Sequence, residues 1–243
     1  MKTVIISQAR MTSTRLPGKI LKEVLGKSLL EYQIERLRRV KLADELIIAT
    51  TVNNTDQAIV ELCEKLGVKY YRGSEEDVLS RYYEAAQQYR ADVVVRVTSD
   101  CPLIDPAVVD YIIEYYLANQ NEYDYVSNTL LRTYPRGMDT EVFPFRVLEE
   151  AHNKADKPAE REHVTPFLYD PAHAYKVAQI TYNEDQSWYR WTVDTVEDFT
   201  LISKMLELLY PQNKHFSLED GLDLVNRYPE LKEINKDIQQ KTI

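Results

Sequence analysis

Arg10, Arg15 and Lys19 fall within a ten-residue span near the start of the chain, in the stretch ISQARMTSTRLPGK from Ile6 to Lys19. Small hydroxyl residues and a Pro-Gly turn separate them. These residue types, directly after a short apolar run, suit the holding of a compact and strongly anionic group. Small side chains let backbone amides approach such a group, and guanidinium and ammonium groups neutralise it. Two common phosphate-loop patterns fail here. No GxGxxG occurs, and a G-x-x-x-x-G-K-[ST] loop ending at Gly18-Lys19 would need Gly at position 13 and Ser or Thr at position 20, where the chain has Ser13 and Ile20. The stretch reads as an anion cradle built without either signature; the alternative is a solvated basic patch.

The elements that must position such a loop follow from the hydrophobic pattern. Thr3–Gln8 is apolar and β-rich. Ser28 is placed to cap a helix with Glu31 three residues on, and Leu29, Leu30, Ile34 and Leu37 give that helix its apolar face. Further strands are expected at 45–50, 68–71, 92–97 and 123–126. Helices are expected at 55–66, 75–89 (capped by Ser74) and 106–118. The pattern loosens from Leu130 to Trp188, where a short strand near 140–143, helices near 145–153 and 159–169, and a strand near 174–180 are expected. A last strand, Arg190–Val193, ends at Asp194, and the helix 197–209 leads into a helical, polar tail. This alternation predicts an α/β fold, a mostly parallel sheet with helices on both faces. Ligands in such sheets lie beyond the C-terminal ends of the strands, which draws attention to the cationic stretch after the first strand and to Thr98-Ser99-Asp100-Cys101-Pro102.

Composition narrows the function. The 243 residues suit one large domain, and 44% hydrophobic residues suffice for a substantial core. Apolar runs such as Val93–Val95 are too short to cross a bilayer, and the N-terminus lacks a secretory pattern, so a cytoplasmic protein without a membrane partner is expected. Cys63 and Cys101 are the only cysteines and form no CxxC; Cys63 reads as core, and nothing near Cys101 suggests an activated nucleophile. The net charge of −9 argues against a nucleic-acid partner. Cations are instead concentrated between residues 10 and 41, where the Arg36–Lys41 group reads as the solvated face of a helix.

The cationic stretch, A-R-x-x-S-T-R-L-P-G-K followed by L-G-K-S-L-L-E-Y, resembles the signature of cytidylyltransferases that make CMP-activated acidic sugars, among them the keto-deoxyoctulosonate and acylneuraminate enzymes. The chain is most similar to their spore-coat polysaccharide (SpsF-like) branch, through V-T-S-D-C-P-L-I-D-P, P-R-G-M-D-T-E-V-F, E-R-E-H-V-T-P-F and V-D-T-V-E-D-F, in that order between Val4 and Phe199. The resemblance implies a Rossmann-type nucleotidyltransferase sandwich, like that of nucleotide-diphospho-sugar transferases. It would be one domain over residues 1–243, with 130–180 as a lid or dimerisation insertion in a homodimer. The implied reaction is attack of a sugar-acid hydroxyl on the α-phosphate of CTP, with Mg²⁺ as cofactor and pyrophosphate released.

Carried over residue by residue, the resemblance makes Ser7, Ala9, Arg10, Arg15 and Lys19 nucleotide-binding, with Arg10 and Lys19 stabilising charge on the reacting phosphate. Asp100 and Asp194 become the metal ligands, and Arg136, Asp139 and Glu141 line the sugar side. Two aspartates are a sufficient protein share for Mg²⁺, which keeps waters and phosphate oxygens as its other ligands. Base preference would rest near Ser7–Ala9 and Thr50–Asn53. Structural alternatives stay open: Asp100 and Asp194 as helix caps, Asp198 as a cap-region acid, Arg136 as a turn arginine, and His163 and Arg161 as packing residues. The chain departs from the lipopolysaccharide enzymes where they have Q-G-D-E-P, keeping the aspartate and changing its neighbours. A glycosyltransferase of the related fold is the main rival, disfavoured because the D-x-D pattern fails at Asp92-Val93-Val94; a non-enzymatic nucleotide-binding scaffold is the other.

Overall fold

The computed structural model describes residues 1–240; the last of the expected tail, 241–243, lies outside the described residues. Strand β1 (Thr3–Gln8) buries Val4, Ile5 and Ile6 alike, as an apolar run covered on both faces must. A small hairpin, β2 (Glu23–Val24) and β3 (Lys27–Ser28), leads into α1 (Leu29–Leu37), whose N-cap Ser28 accepts a hydrogen bond from the Glu31 amide at 3.2 Å. The chain continues through β4 (Glu45–Thr51), α2 (Gln57–Leu66), β5 (Lys69–Gly73), α3 (Val78–Gln88), β6 (Val93–Thr98) and α4 (Pro106–Ala118). Then follow β7 (Tyr125–Ser127), β8 (Glu141–Pro144), α5 (Phe145–Lys154), α6 (Pro158–His163), α7 (Pro166–Tyr169) and β9 (Val177–Gln179). The helices α8 (Val196–Leu209), α9 (Leu218–Arg227) and α10 (Glu230–Glu233) complete the chain.

The seven-stranded sheet has the order β5-β4-β1-β6-β8-β7-β9, and β8 alone runs antiparallel to its neighbours. Alternate residues of each strand feed opposite layers. Ile5, Ile48 and Val95 meet α1, α2, α4 and α8 on one face, while Val4, Ile47 and Val94 meet α3, α5 and α7 on the other. The α/β sandwich with helices on both faces is therefore the observed architecture. After β1 the chain winds outward through β4 and β5, then returns to lay β6 on the other side of β1. This reversal opens a crevice beyond the carboxyl ends of β1 and β6, the position where open α/β sheets bind ligands.

Several expectations from sequence are corrected. Asp77, not Ser74, caps α3, accepting from the Ser80 amide at 2.9 Å; Ser74 Oγ accepts from the Asp77 amide at 3.0 Å and so shapes the turn before it. The expected helix near 159–169 is two short helices, because Pro166 has no amide to continue it and Val164 takes a positive φ of 73°. Arg190–Val193 is not a strand. Its neighbours are loops, to which it is tied by one bridge between Arg136 and Arg190 and by the Val193 amide donating to Asp100 O at 2.8 Å. Arg36 is not on a solvated face: it is 3% exposed, and it donates to Ile104 O at 2.7 Å and Phe216 O at 3.0 Å. The 130–180 segment supplies β8 and β9 to the sheet itself.

Candidate active site

The cationic loop leaves β1 in a fixed course. The Ala9 amide donates to Ala49 O at 3.0 Å, which prolongs the sheet by one residue, and the Met11 amide donates to Asp56 Oδ1 at 2.8 Å. Asp56 is fully buried and also accepts from the Thr51 hydroxyl at 2.5 Å, so one carboxylate fixes the turns after both β1 and β4. The loop closes where the Gly18 amide donates to Met11 O at 2.9 Å. Gly18 has φ 66°, a conformation glycine adopts without strain, and a Cβ there would meet Met11 Cε at 3.2 Å. Lys19 is thereby delivered at the mouth of the crevice.

The second part comes from β6. Thr98 ends that strand, and its hydroxyl donates to Asp100 Oδ1 at 2.6 Å. The third part is the segment before α8. Thr195 and Asp198 form a reciprocal cap on that helix, and Asp198 also receives the Asp194 amide at 3.0 Å and the Asn235 side chain at 2.8 Å. Gly137 lets the P-R-G-M-D turn lie against this segment. Its φ is 108°, and a Cβ would stand 2.6 Å from Trp191 O.

Together these parts form a charged cluster. Lys19 Nζ lies 3.0 Å from Asp100 Oδ2 and 2.8 Å from Asp194 Oδ1. Asp194 Oδ2 lies 2.9 Å from Arg15 and 2.7 Å from Arg190, and Arg190 Nε pairs with Asp198 Oδ1 at 2.9 Å. Burial works against the charged form of Asp100, but the Lys19 ammonium and the Thr98 hydroxyl outweigh it and bring its pKa down to about 2. Burial likewise opposes the Lys19 charge, and the two carboxylates raise its pKa regardless. Burial first, then the Asp100 charge, pushes the Cys101 thiol well up, so this cysteine is not poised to react.

Four of the residues singled out from sequence thus converge in contact, Arg15, Lys19, Asp100 and Asp194, and Arg10 begins the same loop. Arg10 has no side-chain hydrogen bond or ion pair among the described residues. Ser7 is committed to the interior, its hydroxyl donating to Gln33 Oε1 at 2.8 Å, and the Ala9 amide is taken by Ala49. Between them, Gln8 Oε1 is buried without a partner among the described residues. Asp139 is held bidentately by Arg132, and Arg136 is half-buried without a side-chain partner among the described residues. Glu141 is not brought to the cluster; it is 4% exposed, paired with Arg96 and bonded by the Tyr125 hydroxyl at 2.5 Å. Arg161 packs structurally against Asp77, and His163 is half-buried at the end of α6.

Sequence reasoning missed Arg190, Asp56 and Arg132, had Thr98 only as part of the stretch after β6, and left Asp198 open as a cap-region acid. The four-residue spacing of Arg190 and Asp194 was a readable signal; Arg132 and Asp56 gave none, because their partners are fixed by loop closure.

The residues fit a divalent cation. An ammonium already stands between two carboxylate oxygens, and the nearby donors are oxygens, the set that Mg²⁺ prefers. A second group, Glu160, Asp170 and His173, brings its ligand atoms within 4.8 Å of one another, but Lys157 neutralises it from 2.9 Å and 3.4 Å. Among the described residues no helix is long and apolar enough to cross a membrane.

Comparison with known proteins agrees with this geometry. Residues 4–236 match the family model described as Cytidylyltransferase. The chain is 40% identical over 249 residues to the uncharacterized protein MJ1063 of Methanocaldococcus jannaschii, covering 100% of this chain and 98% of that one. It is 32% identical over 234 residues to the spore coat polysaccharide biosynthesis protein SpsF of Bacillus subtilis, covering 93% and 95%. A solved cytidylyltransferase from Leptospira borgpetersenii superposes with a TM-score of 0.91 at 36% identity, covering 100% and 99%. The chain belongs to the cytidylyltransferase family and is a nucleotidyltransferase, as the resemblance in its motifs implied; the glycosyltransferase and scaffold alternatives fall away.

Proposed function

We propose that this member of the cytidylyltransferase family transfers CMP from CTP to the hydroxyl of a sugar acid, releasing pyrophosphate, in the assembly of a surface polysaccharide. The observation that carries the reading is the cluster at the crevice. Asp100, just beyond the end of β6, and Asp194, just before α8, face two cations of one loop, Arg15 and Lys19, and Arg10 begins that loop. Phosphoryl chemistry of this kind depends mainly on placement and charge neutralisation. Asp100 and Asp194 would hold Mg²⁺, which when bound supplies Lewis-acid neutralisation of the phosphate oxygens. Arg10 is the cation with no internal partner among the described residues and is free to meet the triphosphate. Arg15 and Lys19 need only exchange carboxylate for phosphate.

Arg136 supports the acidic acceptor. Its guanidinium is half-buried and unpaired among the described residues, and burial followed by repulsion from Arg132 lowers its pKa, which makes an incoming carboxylate a favourable partner. Asp139, already orienting Arg132, sits on the same side. The surface polysaccharide setting is supported by the name of the SpsF relative. Exposed Leu130 and Leu131 support the 130–180 segment as the contact of a homodimer.

A pyrophosphate-release screen of CTP against a panel of sugar acids, with and without Mg²⁺, tests the reading. Release that requires CTP, Mg²⁺ and one acid is expected, from a protein that sediments as a dimer. Equal release with neutral sugars would overturn the acceptor class, and a monomer at full activity would overturn the dimer.

A further inference from the structure

Lys19 is asked to do two things that exclude one another. A triphosphate ligand must offer its ammonium to phosphate. Yet the ammonium is held between Asp100 Oδ2 at 3.0 Å and Asp194 Oδ1 at 2.8 Å, the oxygens a divalent cation would take. Lys19 is only 9% exposed, so its charge is not idling in solvent. A divalent cation taking the same two oxygens would stand close beside the ammonium, where their like charges repel.

The charge balance of the whole cluster sharpens the conflict. Asp100, Asp194 and Asp198 face Arg15, Lys19 and Arg190, three carboxylates against three cations. The cluster is neutral as it stands. A divalent ion added alone would leave two excess positive charges in partly buried surroundings, where like charges repel more strongly than in water. A triphosphate reverses that balance. The means of exchange are also present: Lys19 follows the fixed Gly18 turn, and its flexible four-carbon stem can swing the ammonium without moving the backbone.

We propose that Lys19 is a displaceable counter-ion that makes metal binding conditional on nucleotide. It holds the cation position between the two aspartates until nucleotide arrives, then gives up that position and carries its charge to the triphosphate. The proposal rests on Asp100 and Asp194 being the metal ligands, as assigned above. The coupling is reciprocal, since any gain in metal affinity caused by nucleotide is matched by a gain in nucleotide affinity caused by metal.

The test is a Mn²⁺ titration of the full-length protein, followed by the electron paramagnetic resonance of free Mn²⁺, with and without α,β-methylene-CTP, which cannot be cleaved at the reacting bond. Wild-type protein is expected to bind Mn²⁺ weakly alone and tightly with the analogue. Lys19→Met, similar in length and uncharged, should bind Mn²⁺ alone roughly 10-fold or more tightly than wild type. Its gain from the analogue should shrink. Lys19→Gln serves as a second variant if the Met protein fails to fold, as judged by circular dichroism. Equal Mn²⁺ affinity in wild type and both variants, with binding still abolished by Asp100→Asn, overturns the counter-ion role alone. Mn²⁺ binding that survives Asp100→Asn overturns the metal assignment and the counter-ion role with it.

Discussion

Two charged clusters lie on the same sheet, a few residues apart along β6, and they are built to opposite ends. Arg96 and Glu141 pair across β6 and β8, with Glu141 also bonded by Tyr125, a phenol whose pKa burial and then the Glu141 charge drive well up. Every partner there stands on a strand, fixed by the pairing of β6, β8 and β7. At the end of β6, Asp100 and Asp194 are also compensated by cations, but Lys19 and Arg15 belong to a loop. Burial raises the cost of an uncompensated charge in both places. The difference is whether the compensating group can be exchanged, and exchange is what a ligand site needs.

The comparison predicts that the two clusters fail differently. Asp100→Asn should lower kcat by roughly 10³-fold, about 4 kcal/mol of transition-state stabilisation. Its melting temperature should stay close to wild type, because Lys19 keeps Asp194; steady-state pyrophosphate release and calorimetry would show both. Loss of stability with activity retained would erase the distinction. Arg96→Met should do the reverse. Removing one partner of a buried pair costs about 3–5 kcal/mol, visible in urea denaturation, while KM for the sugar acid stays unchanged in the folded protein. An unchanged midpoint with a raised KM for the acid would return Glu141 to the acceptor side. The smallest effect is expected at the boundary between the clusters. Thr98→Val removes the hydroxyl that steadies Asp100 and should reduce kcat/KM by about 10-fold, the loss of one hydrogen bond to a charged group. A change below twofold would mean that Lys19 alone positions that carboxylate.

Much of this was legible in the sequence. The strands β1, β4 and β6 are mainly apolar runs, α4 begins at Pro106 where the pattern predicts, and the strand-end position of Asp100 follows from the alternation. What stayed hidden depends on partners far away in the chain. Arg36 carries a charge in a helix and reads as exposed, yet it serves the carbonyls of Ile104 and Phe216, brought near only when α4 and the segment before α9 have packed. The segment around Trp191 has the apolar character of a strand but meets loops, so it makes scattered bonds and no ladder. Arg190 reads as the first residue of a strand and Asp198 as a cap-region acid until the fold sets Arg190 against both Asp194 and Asp198.

The bond between Lys19 and Asp194 spans 175 residues of sequence. It therefore ties the time at which the site exists to the order of synthesis. β1, β4, β5 and β6 can pair once the first hundred residues have emerged, leaving Lys19 with Asp100 alone. The second carboxylate arrives only when most of the chain has been made, and its orientation then depends on Asp198 and Asn235, which are made later still. A nascent or truncated chain can have the sheet and the loop without the pair of aspartates. A chain that stops short of Asp194 therefore lacks the second carboxylate, whatever part of the sheet it has formed.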